Sequence, residues 1–517
     1  MEAWGTEVAA RMRNVLEWLE ARADALPQKE AVSSPDDSLS FGDLRRLARA
    51  AGSFLASHME PRRAVAFYLE KSPRALAGML GAVYAGGFYS VLDVRQPAGR
   101  IHGICEALEP AVVVADQRNL AQAREVFADE AFTLVSLDEL LGGPEDASAL
   151  ARVRVQACDI DPLYVNFTSG STGVPKGVVV CHRSVIDFIP QFAGCFGIGE
   201  GDVLGNQAPF DFDVSVKDIY SSLLTGASLQ LIPREYFSQP TLLMDFLCER
   251  EVTSLTWAVS AMCFVSVMGG FEYRVPTTVR RVMFSGEVMP PKQLAVWQRW
   301  LPDARYVNLY GPTEITCNCS YYEIGRPFGK GEVIPMGRPF ANEQVFLLDE
   351  GDAPVSRPGI EGEICVSGTC LALGYLGDPE RTAAAFVQSP LNPRWSQTIY
   401  RTGDLGYYDD EGNLVYASRK DHQIKHLGQR IELGDIEAAT QSLEGVQRAC
   451  CVYDRRRKRI HLFYLGTPEK EGVSLALREL LPSYMLPNRT HQLAEMPLTK
   501  NGKIDRRQLA GLAGIKE

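Results

Sequence analysis

Tyr164-Val165-Asn166-Phe167-Thr168-Ser169-Gly170-Ser171-Thr172-Gly173-Val174-Pro175-Lys176-Gly177 passes from an apolar, β-favouring run into a loop of hydroxyls and glycines closed by Pro-Lys-Gly. Glycine tolerates positive φ, so several N–H groups can converge on one anion. Thr168, Ser169, Ser171 and Thr172 add hydroxyls, and Lys176 adds a mobile charge. These are the parts of a phosphate-holding loop, although G-x-x-x-x-G-K-[ST] does not fit the spacing. Taken alone, the stretch reads equally well as an idle surface loop.

The chain around it alternates strands and helices. Upstream, Val8, Met12, Val15, Leu16 and Leu19 mark an amphipathic helix, and 43–59 reads as another. Residues 64–69, 88–92, 111–115 and 132–137 read as strands, with a helix over 74–84. Downstream, helices over 215–224, 242–251 and 291–300 alternate with strands over 228–232, 254–258, 281–284 and 305–309. Such alternation predicts α/β layers with largely parallel sheets and ligands at strand ends. From about Pro335, short β-like runs between Gly- and Asp-rich turns predict a small β-barrel or distorted sheet. Beyond Asp421, about 95 residues suffice for a small α+β domain.

At 517 residues, two to four domains or subdomains are expected. The net charge of −11 argues against general nucleic-acid binding. From His422 onward there are 16 Lys+Arg against 11 Asp+Glu, so a basic tail follows an acidic body and suits an acidic partner. The 12 cysteines show no metal or disulfide framework, which fits a reducing cytoplasm. No signal-like segment or membrane-length apolar run occurs.

Other stations carry chemistry. Asn308-Leu309-Tyr310-Gly311-Pro312-Thr313-Glu314 ends a strand with a carboxylate beside a hydroxyl, a set able to hold Mg²⁺, while Tyr310 can stack on a base. Asp404, in Tyr400-Arg401-Thr402-Gly403-Asp404-Leu405, can accept from both hydroxyls of a ribose. In isolation, a polar turn is the first reading of either station. Ser418–Lys425 alternates charges with no apolar face and reads as an exposed linker. Asn501-Gly502 makes a tight turn that projects Lys503. Arg455-Arg456-Arg457-Lys458-Arg459 reads first as a solvated hairpin loop and second as a docking site.

In this order, these stations resemble the adenylate-forming superfamily, and specifically the amino-acid adenylation domains of nonribosomal peptide synthetases and the D-alanine–carrier-protein ligases. Leu39–Leu44, Tyr84–Gly87, Gly374-Tyr375, Arg419–Glu437, Leu481–Pro487 and Leu498–Asp505 complete the set. The resemblance implies a large adenylation domain over 1–420, made of two stacked α/β subdomains plus a small β-barrel, and a small mobile α+β domain over 421–517 hinged at Asp421. It implies that Thr168, Ser169, Gly170, Ser171, Thr172, Gly173 and Lys176 close over ATP. Tyr310, with Asn308 and Gly311, would pack on adenine. Thr313 would sit near the α-phosphate, Glu314 would hold Mg²⁺, and Asp404 with Arg419 would bind ribose. Lys503 would bridge the substrate carboxylate and the α-phosphate, giving an acyl-AMP. The acyl group would then pass to the phosphopantetheine thiol of an acidic carrier protein acting in trans. A monomer is expected. The alternative is an acyl-CoA synthetase using free coenzyme A and a non-amino acid.

Phe212-Asp213-Val214-Ser215-Val216 resembles the motif whose Asp binds an α-ammonium. By the same register, Val214, Lys217, Trp257, Met283, Ser285, Gly286, Leu309, Cys317 and Asn318 would line the side-chain pocket. Lys217 suits an acidic side chain, while Asp218, Tyr220 and Trp257 look closer to the D-alanine ligases and a small substrate. Ser418, where the family usually has Gly, and the Phe88–Val91 run leave the subfamily open.

Overall fold

Ser40 and Ser72 begin two helices by accepting the N–H groups of Asp43 at 3.1 Å and Ala75 at 3.0 Å. Those helices, Phe41–Ala56 and Pro73–Tyr84, lie in the layer that two large sheets share. The computed structural model describes residues 12–128, 130, 132–168, 175–329, 331–420, 423–426, 428–498 and 504–515. Val8, Ser169, Gly170, Ser171, Thr172, Gly173, Asp421 and Lys503 lie outside the described residues.

The first sheet has seven strands. Ala64–Tyr68, Phe88–Leu92, Val112–Ala115 and Thr133–Ser136 run parallel. Pro162–Thr168 joins them in parallel and pairs antiparallel with Lys176–Cys181, which Gly374–Tyr375 follows at the edge. The second sheet has nine strands. Val203–Asn206, Ser228–Leu231, Ser254–Ala258, Arg281–Ser285 and Arg305–Tyr310 form its parallel centre.

Helices His182–Phe196 and Val214–Thr225 complete the shared core. Pro240–Glu249, Val259–Val267 and Pro291–Trp300 cover the far face of the second sheet. Burial on both faces accounts for strands such as Ala64–Tyr68, which is apolar and buried throughout.

A six-stranded antiparallel sheet follows, built on Glu343–Leu348, Gly362–Gly368, Thr398–Tyr408 and Leu414–Arg419. Past residue 422, the hairpin Gln423–His426/Gln429–Glu432 precedes a three-stranded sheet with its own core. The expectation of an exposed linker over Ser418–Lys425 is corrected here. The Arg419 side chain is 7% exposed because it is bound to Asp404, and the Lys425 ammonium lies over the Tyr310 ring.

Candidate active site

Strand Arg305–Tyr310 ends in a turn that has little room. A Cβ on Gly311 would stand 2.5 Å from Asn318 Cα and 2.7 Å from Cys317 O, so this position excludes any side chain. The turn therefore brings Tyr310, Thr313 and Glu314 against the segment Thr316–Asn318. Thr316 and Cys317 hold φ of +56° and +83°, a left-handed stretch without glycine.

The Tyr310 hydroxyl donates to Asp404 Oδ2 at 2.7 Å, and Arg419 Nη1 donates to Oδ1 at 2.7 Å. Asp404 is 2% exposed, but each carboxylate oxygen retains acceptor capacity beyond its one donor. Lys425 Nζ lies 5.7 Å from the centre of the Tyr310 ring.

Glu314 is fully buried. Arg430 Nη1 donates to its two oxygens at 2.8 and 3.0 Å, the Tyr375 hydroxyl donates at 2.8 Å, and Lys176 Nζ lies 3.6 Å away. Burial alone would raise this carboxyl's pKa, but Arg430 and Lys176 outweigh it and hold the pKa far below the usual range. Burial, with Arg430 nearby, lowers Lys176 to about 8 against the pull of Glu314. Lys176 lies directly across the ladder from Thr168, whose hydroxyl is buried with no partner among the described residues. An orphaned hydroxyl beside a buried lysine fits a phosphate oxygen. A carboxylate such as Glu314 is of the type that shares Mg²⁺ with phosphates, while here Arg430 occupies both of its oxygens.

Asp213 is buried at the start of helix Val214–Thr225, with the Thr313 hydroxyl near its carboxylate. Burial raises its pKa, opposed by Thr313 and Lys217. One turn on, Lys217 Nζ donates to Asn318 Oδ1 at 2.6 Å. Val214, Met283, Ser285, Leu309, Cys317 and Asn318 are all buried, and Gly286 takes φ +95°.

One expected placement is corrected. Trp257 faces the far side of the second sheet, where it packs edge-on against Phe237 and Trp297 and donates to Gly205 O at 2.8 Å. Side chains alternate along a strand, so Thr256 takes the near face, toward Asp218. The Asn308 amide donates to Pro335 O at 2.8 Å, which leaves its carbonyl oxygen available.

The motifs assign no role to Tyr375, Lys425 or Arg430. All three fall within motif stretches, yet nothing local ties Tyr375 or Arg430 to Glu314, or Lys425 to Tyr310. Glu287 was also unforeseen. It accepts from Gly428 N–H at 2.5 Å and from Lys458, which ties two parts of the tail to the body.

The fold and this cluster of strand-end residues define a nucleotide-type site in a stacked α/β protein. The family profile described as AMP-binding enzyme matches residues 19–376, and the chain belongs to that family. It is 31% identical to the D-alanine--D-alanyl carrier protein ligase of Bacillus velezensis, across 96% of this chain and 98% of that one. It is 30% identical to Tyrocidine synthase 1 of Brevibacillus parabrevis over 97% of this chain, but spans only 45% of that relative. Among solved structures, holo-PA1221, an NRPS protein containing adenylation and PCP domains, shares the fold. Its TM-score is 0.81 at 23% identity, covering 97% of this chain and 84% of that one. No helix among the described residues is long and apolar enough to cross a membrane.

Proposed function

We propose that the chain adenylates an amino acid with ATP, releasing pyrophosphate, and passes the aminoacyl group to the phosphopantetheine thiol of a separate carrier protein. The observation that carries this reading is the junction of Asp213 and Thr313. It sets a buried anion suited to an α-ammonium beside Thr313, the residue that precedes Glu314. The near end-to-end likeness to a ligase named for an amino acid and a carrier protein supports it.

The substrate carboxylate and the α-phosphate are both anionic, so their approach needs fixed cations. Lys176 lies against Glu314, and Lys503 would reach the reacting atoms from the tail. Asp404, oriented by Tyr310 and Arg419, would hold the ribose. Glu314 would hold Mg²⁺, which when bound supplies charge neutralisation at the phosphates. The body over 1–420 and the tail over 421–517 would turn about Asp421 between the half-reactions. With Lys425 and Arg430 in the site, the present arrangement suits the acyl-transfer stage. Arg455, Arg456, Arg457 and Arg459 are exposed and suit an acidic carrier, whereas Lys458 is engaged by Glu287.

Pyrophosphate exchange across amino, fatty and aryl acids, followed by loading of a carrier protein or free coenzyme A, tests this. Amino-acid-dependent exchange and carrier loading are expected. Turnover of fatty or aryl acids alone, with free coenzyme A as acceptor, would overturn it.

A further inference from the structure

Both donors to the Glu287 carboxylate come from the tail: Gly428 N–H at 2.5 Å on Oε1, and the Lys458 ammonium on Oε2. No body side chain donates to it among the described residues. The Glu287 side chain is 5% exposed. A carboxylate held from water needs such partners, so Glu287 is satisfied by the protein only while the tail stands against the body. Gly428 presses on the body too, because a Cβ there would stand 3.2 Å from Ala258 Cβ and from Ser260 Oγ.

Lys458 is placed by its turn. Residues 455–458 connect strands Val446–Asp454 and Arg459–Gly466, whose last pair is Asp454 and Arg459. Asp454 Oδ1 accepts the N–H groups of Arg456 at 3.0 Å and Arg457 at 2.9 Å, which closes the turn. Lys458 follows at φ +49°, a left-handed position where glycine is the unstrained choice. The turn sends Lys458 across to the body, while Arg455, Arg456, Arg457 and Arg459 stay exposed. A lysine there strains the turn, so what it contributes is the ammonium at Glu287.

We infer that Glu287 and Lys458 form a latch that holds the tail on the body for acyl transfer and opens for adenylation. The inference rests on the two half-reactions proposed above. Neither residue is among those assigned to ATP or the amino acid. Losing the pair therefore penalises the arrangement used for transfer and spares adenylation.

The test uses the whole chain, the acid that gives the fastest pyrophosphate exchange, and free pantetheine as the thiol acceptor. Free pantetheine has no acidic surface, which separates latching from carrier docking. Lys458→Gly relieves the turn and removes the ammonium, so its thermal unfolding midpoint is expected to hold or rise. Its single-turnover transfer from preformed aminoacyl-AMP is expected to slow at least ~5-fold, with exchange kept within ~2-fold. Glu287→Gln, which keeps an acceptor for Gly428, should behave alike, and the double variant should lose no more than either single one. Lys458→Arg keeps the charge and should retain transfer. Unchanged transfer in Lys458→Gly, equal losses in both half-reactions, or additive losses would overturn the latch and leave the proposed reaction standing. No pyrophosphate exchange with any acid would overturn both.

Discussion

Arg430 Nη1 stands 2.8 and 3.0 Å from the two oxygens of Glu314, and the two residues lie 116 positions apart. One belongs to the strand-end turn of the body, the other to a hairpin of the tail. Removing one partner of a buried pair typically destabilises by about 3–5 kcal/mol, and here that loss falls on the arrangement in which the hairpin is inserted. Arg430→Gln is therefore predicted to slow acyl transfer to the carrier at least ~10-fold more than it slows pyrophosphate exchange. Single-turnover measurement of each half-reaction checks this, and equal losses would count against it.

Lys503→Ala should show the opposite bias. Removing a donor aimed at developing charge typically costs about 3–4 kcal/mol, so exchange is predicted to fall by ~100-fold or more. Near-normal exchange would remove Lys503 from the adenylation step.

The Tyr310–Asp404–Arg419 contacts set the third expectation. Asp404→Ala removes the acceptor from two donors, both at 2.7 Å, and from any ribose. KM for ATP is predicted to rise at least ~10-fold, with a smaller change in kcat, given that hydrogen bonds to charged groups contribute about 1.5–3 kcal/mol. Steady-state kinetics at varied ATP decides it.

Lys176, lowered to about 8 mainly by burial, loses its charge as pH rises through that value. In the free enzyme kcat/KM for ATP should therefore fall above about pH 8. Lys176→Arg keeps its charge there. Its profile should stay flat, and an identical decline in both proteins would assign the titration elsewhere.

His182 is buried and accepts Val15 N–H on Nδ1 at 3.4 Å, and burial lowers its pKa to about 4. An unfolded histidine protonates near 6.5, so the unfolded state binds the extra proton first as pH falls. Stability is complete above about 6.5 and is lost progressively down to about 4. From pH 7 to 5 the loss from this residue is about 2 kcal/mol. Thermal unfolding midpoints of the protein and of His182→Gln should converge over that interval.

Much of the fold was legible because the signals were local. Runs such as Val112–Ala115 are apolar on both faces, as central parallel strands must be, and their turns carry the punctuation. Asp404 and Tyr310 were readable only as members of an ordered motif set, since their bond spans 94 residues. Trp257 was misplaced because either face of a strand accepts a tryptophan, and only the packing against Trp297 decides which. Lys425 and Arg430 carried no local sign of the groups they meet. Charged residues on a short hairpin look solvated until the surface they meet is known.

The left-handed pair Thr316–Cys317 bears on how this protein would respond to selection. Glycine adopts φ +83° without the steric penalty cysteine bears, so Cys317→Gly relieves backbone strain at that point. The same change loosens the segment that aims Asn318 at Lys217. A library screened for heat tolerance alone would weigh that relief against the unfolded-state entropy glycine adds and the buried thiol it removes.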